Sequence, residues 1–173
     1  MNSIKYFFQF LVIFFLFVIF KILGLKFASN FSSWLLKKIG PFFRSKKIIE
    51  ENILKAFPEI IPENLEKIIV NMWGNYGRIL SEYVFLKNFR QSKLKDNLEI
   101  VGQNILEEIK KDGKPVIFIS GHFNNFELMA MHIEKSNINL AVIYRPLNNK
   151  FLNFIMERIR KKYICKKQIK KGT

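Results

Sequence analysis

Asp112-Gly113-Lys114-Pro115-Val116-Ile117-Phe118-Ile119-Ser120-Gly121-His122-Phe123-Asn124-Asn125-Phe126-Glu127 runs from a turn, through four apolar residues, to a histidine and a carboxylate five positions apart. The Asp-Gly-Lys-Pro turn and the unbroken apolar run predict a buried strand over Val116–Ser120. A helix is expected to begin around Glu127. That places His122 at a strand end, the reactive position of open α/β sheets, with Glu127 in the first turn of the next helix. Gly121 lets the backbone turn sharply between them. A carboxylate that accepts a hydrogen bond from one imidazole nitrogen fixes the tautomer and leaves the other nitrogen as a base. Spacing alone is a weak signal for catalysis, because such pairs often arise by chance.

On either side of this stretch the pattern alternates. Leu98–Val101 reads as a short strand and Asn104–Lys111 as a short helix; Leu140–Tyr144 is a strand and Asn148–Lys162 a helix. Strand–helix alternation predicts an α/β layer with a parallel or mixed sheet over residues 97–173. Upstream, residues 27–96 read as helical. Phe27, Phe31, Trp34, Leu35, Leu36 and Ile39 stand among basic residues and end at Gly40-Pro41, which suits an amphipathic helix at a membrane surface and equally a short packed helix. Ile49, Ile53 and Phe57 form a helical face that stops before Pro58. A longer helix follows Pro62, with Leu65, Ile68, Ile69, Met72, Trp73, Tyr76, Ile79 and Leu80 at 3–4 spacing.

Residues 1–26 read as a transmembrane anchor. From Tyr6 to Leu25, sixteen of twenty residues are Phe, Leu, Ile or Val, which favours the bilayer by about 5–10 kcal/mol. Lys21 opposes insertion by at most about 3 kcal/mol. Twenty helical residues match a hydrocarbon core of roughly 30 Å. Only Lys5 precedes the run, whereas Lys26, Lys37, Lys38, Arg44, Lys46 and Lys47 follow it. That asymmetry predicts a single pass with the body in the cytoplasm. A helix lying flat at the interface is the alternative.

The formal charge is +15, from 29 basic and 14 acidic residues, and suits anionic headgroups or an acidic carrier protein. The lysines are scattered rather than gathered on one module, which argues against nucleic acid. The single cysteine, Cys165, permits no internal disulfide and reads as a small core residue. His122, Glu127 and His132 lack metal-site spacing, so no metal is expected. Ser120 is outside a nucleophile elbow, which disfavours a serine hydrolase.

The segment Ser120–Glu127, followed by Tyr144-Arg145-Pro146-Leu147-Asn148-Asn149, resembles the bacterial lipid A biosynthesis late acyltransferases, the lauroyl and myristoyl transferases. The N-terminal apolar segment, Ala56-Phe57-Pro58-Glu59, Glu82, and Arg158-Ile159-Arg160 fit the same pattern, and the resemblance spans essentially the whole chain. It implies an acyltransferase core of which this chain is the N-terminal portion, since family members continue with further strands and part of the acyl-chain pocket. It also implies transfer of a fatty acyl chain from acyl carrier protein to a hydroxyl of a Kdo–lipid A precursor, at the cytoplasmic face of the inner membrane. His122 would be the general base and Glu127 its orienting partner. Arg145, Arg158, Arg160 and Asn125 would serve the substrate side, guanidinium being suited to phosphates and oxyanions. Acyl carrier protein is the implied co-substrate, and no cofactor is implied. Asn124 stands where the pattern often has Gly, a tolerable change because Asn accepts left-handed backbone. The competing expectations are an inactive, membrane-anchored truncated protein, or transfer to another glycolipid or phospholipid acceptor.

Overall fold

The computed structural model describes residues 2–172. It is mostly helical, with one small parallel sheet. Helix α1 covers Asn2–Ile39, α2 Lys46–Ala56, α3 Pro62–Glu82, α4 Leu86–Arg90, α5 Gln103–Asp112, α6 Glu127–Lys135 and α7 Lys150–Tyr163; strands β1 (Ala141–Tyr144) and β2 (Lys167–Lys170) flank α7. Two compact units emerge. One combines the residues up to Leu16 with those from Phe85 onward, and the other is Phe17–Val84.

In the Phe17–Val84 unit, α1 breaks at Gly24, whose φ of 76° only glycine adopts without strain. The expected amphipathic helix over Phe27–Ile39 is the continuation of the apolar one past this break, and it ends in a 3₁₀ turn at Gly40–Phe42. Helices α2 and α3 form as their periodicities predict. Ile49, Ile69 and Trp73 are buried together, with Ile53, Leu65 and Met72 packed around them. Lys46 Nζ reaches Glu66 Oε2 at 2.8 Å from the start of α2. That exposed ion pair raises the Lys46 pKa, first through the hydrogen bond to Glu66, and contributes little to stability.

The apolar stripe of α3 does not describe its closest packing. Gly74, Gly77 and Ser81 are buried on this helix, as are Ala28, Ser32 and Ser33 on α1. A Cβ on Gly77 would run into the Ser32 carbonyl and the Ser33 nitrogen, and one on Gly40 into the Trp73 ring. Small residues let the two helix backbones approach.

In the other unit, β1, α7 and β2 make a strand–helix–strand crossover. The strands are parallel, with Ala141 opposite Lys167 and Tyr144 opposite Lys170, the pairing that needs a crossover connection such as α7. Helix α4 packs on α6 and α7, and Leu86, Phe89, Met131, Ile133, Ile164 and Cys165 are buried. Cys165 is a core residue, its Sγ donating to Leu140 O at 3.0 Å. Burial raises its thiol pKa.

Two expected strands are not formed. Leu98–Val101 and Val116–Ser120 have no sheet neighbour among the described residues, and Ile117 and Ile119 are 87% and 92% exposed. The apolar run carries the signal of burial, but a strand exists only through the hydrogen bonds of a neighbour. Of the expected α/β alternation, one small two-stranded parallel crossover forms within a mainly helical chain. β2, a lysine-rich segment with no alternation, escaped the sequence reading; pairing with β1 defines it.

Candidate functional site

The His122 loop ends where α6 begins. The positive φ in this loop falls at Asn124 (45°) rather than at Gly121, a left-handed backbone that asparagine accepts. Phe126 N donates to Asn124 O at 3.1 Å and Leu128 N to Asn125 O at 3.1 Å. This tight turn sets Glu127 as the first residue of α6.

Glu127 is buried, and its carboxylate meets Arg160 from α7. Arg160 Nε donates to Oε1 at 2.7 Å and Nη2 lies 2.5 Å from the same oxygen. Both side chains are largely removed from solvent, which makes this a charge-assisted, geometrically fixed pair rather than a surface contact. The Arg160 guanidinium also lies 5.8 Å from the Tyr144 ring centroid. Tyr144 in turn donates to Glu157 Oε1 at 2.5 Å, and Asn153 Nδ2 donates to the same oxygen at 2.8 Å. Lys170 Nζ stands 3.4 Å from it. Burial first, then the Glu157 hydrogen bond, pushes the Tyr144 pKa up to about 12. The Tyr144 hydroxyl, followed by Asn153, holds the Glu157 carboxyl below its usual range. The Tyr144–Glu157 group and the Glu127–Arg160 pair thus meet where the Arg160 guanidinium lies against the Tyr144 ring.

The other residues singled out in sequence are placed differently. His122 is exposed, its ring edge-on to Phe126 with centroids 4.4 Å apart. Asn125 is buried between them in sequence. Arg145 is exposed just beyond β1. Arg158 is exposed on α7, its guanidinium 5.1 Å from the Phe154 ring centroid. The structure therefore joins Glu127 to Arg160, gives the His122 ring the contact with Phe126, and leaves Arg145 and Arg158 facing solvent. His132 donates from Nε2 to Gln103 Oε1 at 2.6 Å. Burial and then Lys135 lower its pKa, and it is a half-buried helix residue. Glu82 is half-buried at the end of α3.

Tyr144, Glu157, Asn153 and Asn149 were missed as site-forming residues. Asn149 caps α7, its Oδ1 accepting from Phe151 N and Leu152 N at 3.1 and 3.2 Å. Its Nδ2 donates to Tyr6 O at 2.8 Å, and Phe151 packs edge-on against Phe7 with ring centroids 5.7 Å apart. The Asn-Asn before an apolar helical pattern is a cap signal. The Tyr144–Glu157 bond spans thirteen residues and had no local signature.

The profile described as "Bacterial lipid A biosynthesis acyltransferase" matches residues 1–168. The chain is 21% identical over 112 residues to the "Lipid A biosynthesis lauroyltransferase" of Escherichia coli (strain K12), covering 65% of this chain and 36% of that protein. It is 24% identical over 142 residues to the "Lipid A biosynthesis acyltransferase 2" of Shigella flexneri, covering 79% of this chain and 45% of that one. The chain therefore spans less than half the length of these relatives. No solved structure matches it. A profile match over nearly the whole chain, ending beyond both the His122–Glu127 loop and the α7 arginines, establishes that the chain belongs to the bacterial lipid A biosynthesis acyltransferase family.

Proposed function

We propose that this chain carries the acyl-transfer site of a lipid A biosynthesis acyltransferase. It would move a fatty acyl group from acyl carrier protein to a hydroxyl of a Kdo–lipid A precursor at the cytoplasmic face of the inner membrane. The observation that carries this reading is the family match across residues 1–168, which contains an exposed His122 on the loop leading into Glu127. His122 removes the proton of the acceptor hydroxyl as that oxygen attacks the thioester carbonyl. The tetrahedral intermediate collapses, the C–S bond breaks, and the carrier's thiolate leaves, its modest pKa needing little acid assistance, and then takes up the proton held on His122. Arg160 anchors Glu127, and Glu127 orients His122. A carboxylate offers about four lone-pair sites, so accepting from Arg160 is compatible with accepting from His122. Arg145 and Arg158, both solvent-facing, supply cation for lipid phosphates, and Asn125 supports the substrate side of the loop. An α/β acyltransferase core built around the β1–α7–β2 crossover belongs to the same reading.

The test is transfer of labelled acyl chain from acyl carrier protein to the precursor in detergent. His122→Ala is expected to lower the rate by about 10²- to 10⁴-fold while the protein stays in the membrane fraction. Transfer by the variant at the unaltered rate would remove His122 from the mechanism.

The N-terminal helix is long and apolar enough to cross a membrane, and the lysines after it favour a single pass with the body in the cytoplasm. One observation favours the flat arrangement. Tyr6 and Phe7 contact Asn149 and Phe151, and a helix crossing from Tyr6 would draw the polar start of α7 into hydrocarbon. Ser3→Cys in a Cys165→Ser background separates the two. An impermeant maleimide that labels intact spheroplasts means crossing; labelling only after lysis means the flat helix.

A further inference from the structure

After the break at Gly24, α1 buries the wrong residues for a helix in water. Its inner face is Ala28, Ser32 and Ser33, with Ser32 fully enclosed, while Phe27 is 69% exposed and Phe31 and Trp34 are exposed beside it. Positions 27, 31 and 34 lie on one helical face. The 3₁₀ turn that ends the helix continues the pattern: Phe42 is 88% exposed and Phe43 follows it outward. The small-residue face is committed to α3, where Gly77 meets the Ser32 backbone, so the helix cannot roll its aromatics inward.

We propose that this face, Phe27, Phe31 and Trp34 together with Phe42 and Phe43, is a lipid-contacting surface that seats at the headgroup–acyl boundary of a bilayer containing anionic phospholipid. Three observations favour lipid over a protein partner. The same helix carries the apolar segment long enough to cross a membrane, so the face is continuous with a part of the chain already suited to lipid. Aromatic side chains, Trp above all, prefer the interfacial layer. Lys38 and Arg44 are exposed beside the aromatics, and their long side chains can reach headgroup phosphates while the rings enter the acyl region. This goes beyond the acyl-transfer reading and does not depend on it.

The chain holds two tryptophans, so Trp73→Phe leaves Trp34 as the reporter. The full chain is reconstituted in phosphatidylethanolamine–phosphatidylglycerol vesicles doped with brominated phosphatidylcholine. Trp34 emission is expected to shift to the blue and to be quenched more by bromines near the headgroup than by bromines near the chain end. Quenching by aqueous acrylamide with none by brominated lipid overturns the proposal. Shielding from both quenchers also overturns it, and would mean that a protein or a second copy covers the face. Because Trp73 packs against Gly40, a second variant retains it: Phe43→Cys with Cys165→Ser, carrying a nitroxide. Greater accessibility to oxygen than to an aqueous nickel chelate supports lipid contact; the reverse order refutes it.

Discussion

Replacing Gly77 and Gly74 by alanine, one at a time, tests whether backbone contact holds α1 against α3. The two glycines share a helix and a buried face, and alanine brings each about 0.5–1 kcal/mol of intrinsic helix preference. What the new methyl meets differs. At Gly77 it meets the Ser32 carbonyl carbon and oxygen and the Ser33 nitrogen. Those atoms belong to a helix backbone and cannot rotate away, so α3 must shift. Overpacking of this kind costs about 1–3 kcal/mol, and rigid backbone belongs in the upper half of that range. The net is a loss of about 1–2.5 kcal/mol. At Gly74 the obstructions are Lys37 Cε, the far end of an exposed side chain, and the Ser33 hydroxyl. Both can rotate at little cost, so Gly74→Ala should be neutral or stabilising by up to about 1 kcal/mol. For a chain of this size 1 kcal/mol moves Tm by about 2–4 °C. Thermal unfolding followed by far-UV circular dichroism in one detergent should therefore show Gly77→Ala falling by roughly 2–10 °C, with Gly74→Ala level or higher. Equal shifts for the two variants, or a Tm rise for Gly77→Ala, would refute the argument.

Arg160→Met should destabilise by about 3 kcal/mol, because it strips Glu127 of a buried charged partner. The double variant with Glu127→Leu should recover much of that loss in the same unfolding assay, and a single-variant cost under about 1 kcal/mol would deny the pair its structural weight. Tyr144 should ionise late, near 12. Its folded value lies above the ordinary value of about 10. The stability it contributes is complete below about 10 and fades as pH rises toward 12. Tyr144→Phe should remove a step near 12 from the absorbance titration; an unchanged curve would mean the hydroxyl is not held as described.

Local pattern was enough for most helices. Ile49 and Ile53 on α2, the Pro62 start of α3 and the Asn149 start of α7 each carry their signal within one or two turns. Asn124 was legible too, since its tolerance of left-handed backbone is a property of the side chain. Strands were harder. Val142 and Ile143 pair, whereas Ile117 and Ile119, more apolar in context, do not. Hydrophobicity states that a segment should leave water, not which neighbour will receive it.

The sequence by itself determined the apolar N-terminal segment, the order of helices, the His122–Glu127 spacing and the family resemblance, because each depends on residues close together in the chain. Tertiary structure alone decided that Glu127 meets Arg160 across thirty-three positions, that Tyr144 closes on Glu157, and that α1 turns its serines inward and its aromatics out. Those outcomes depend on which surfaces approach closely enough to exclude water. A glycine at position 77 permits such an approach, but the Ser32 carbonyl that it accommodates is forty-five residues away, beyond the reach of any local pattern.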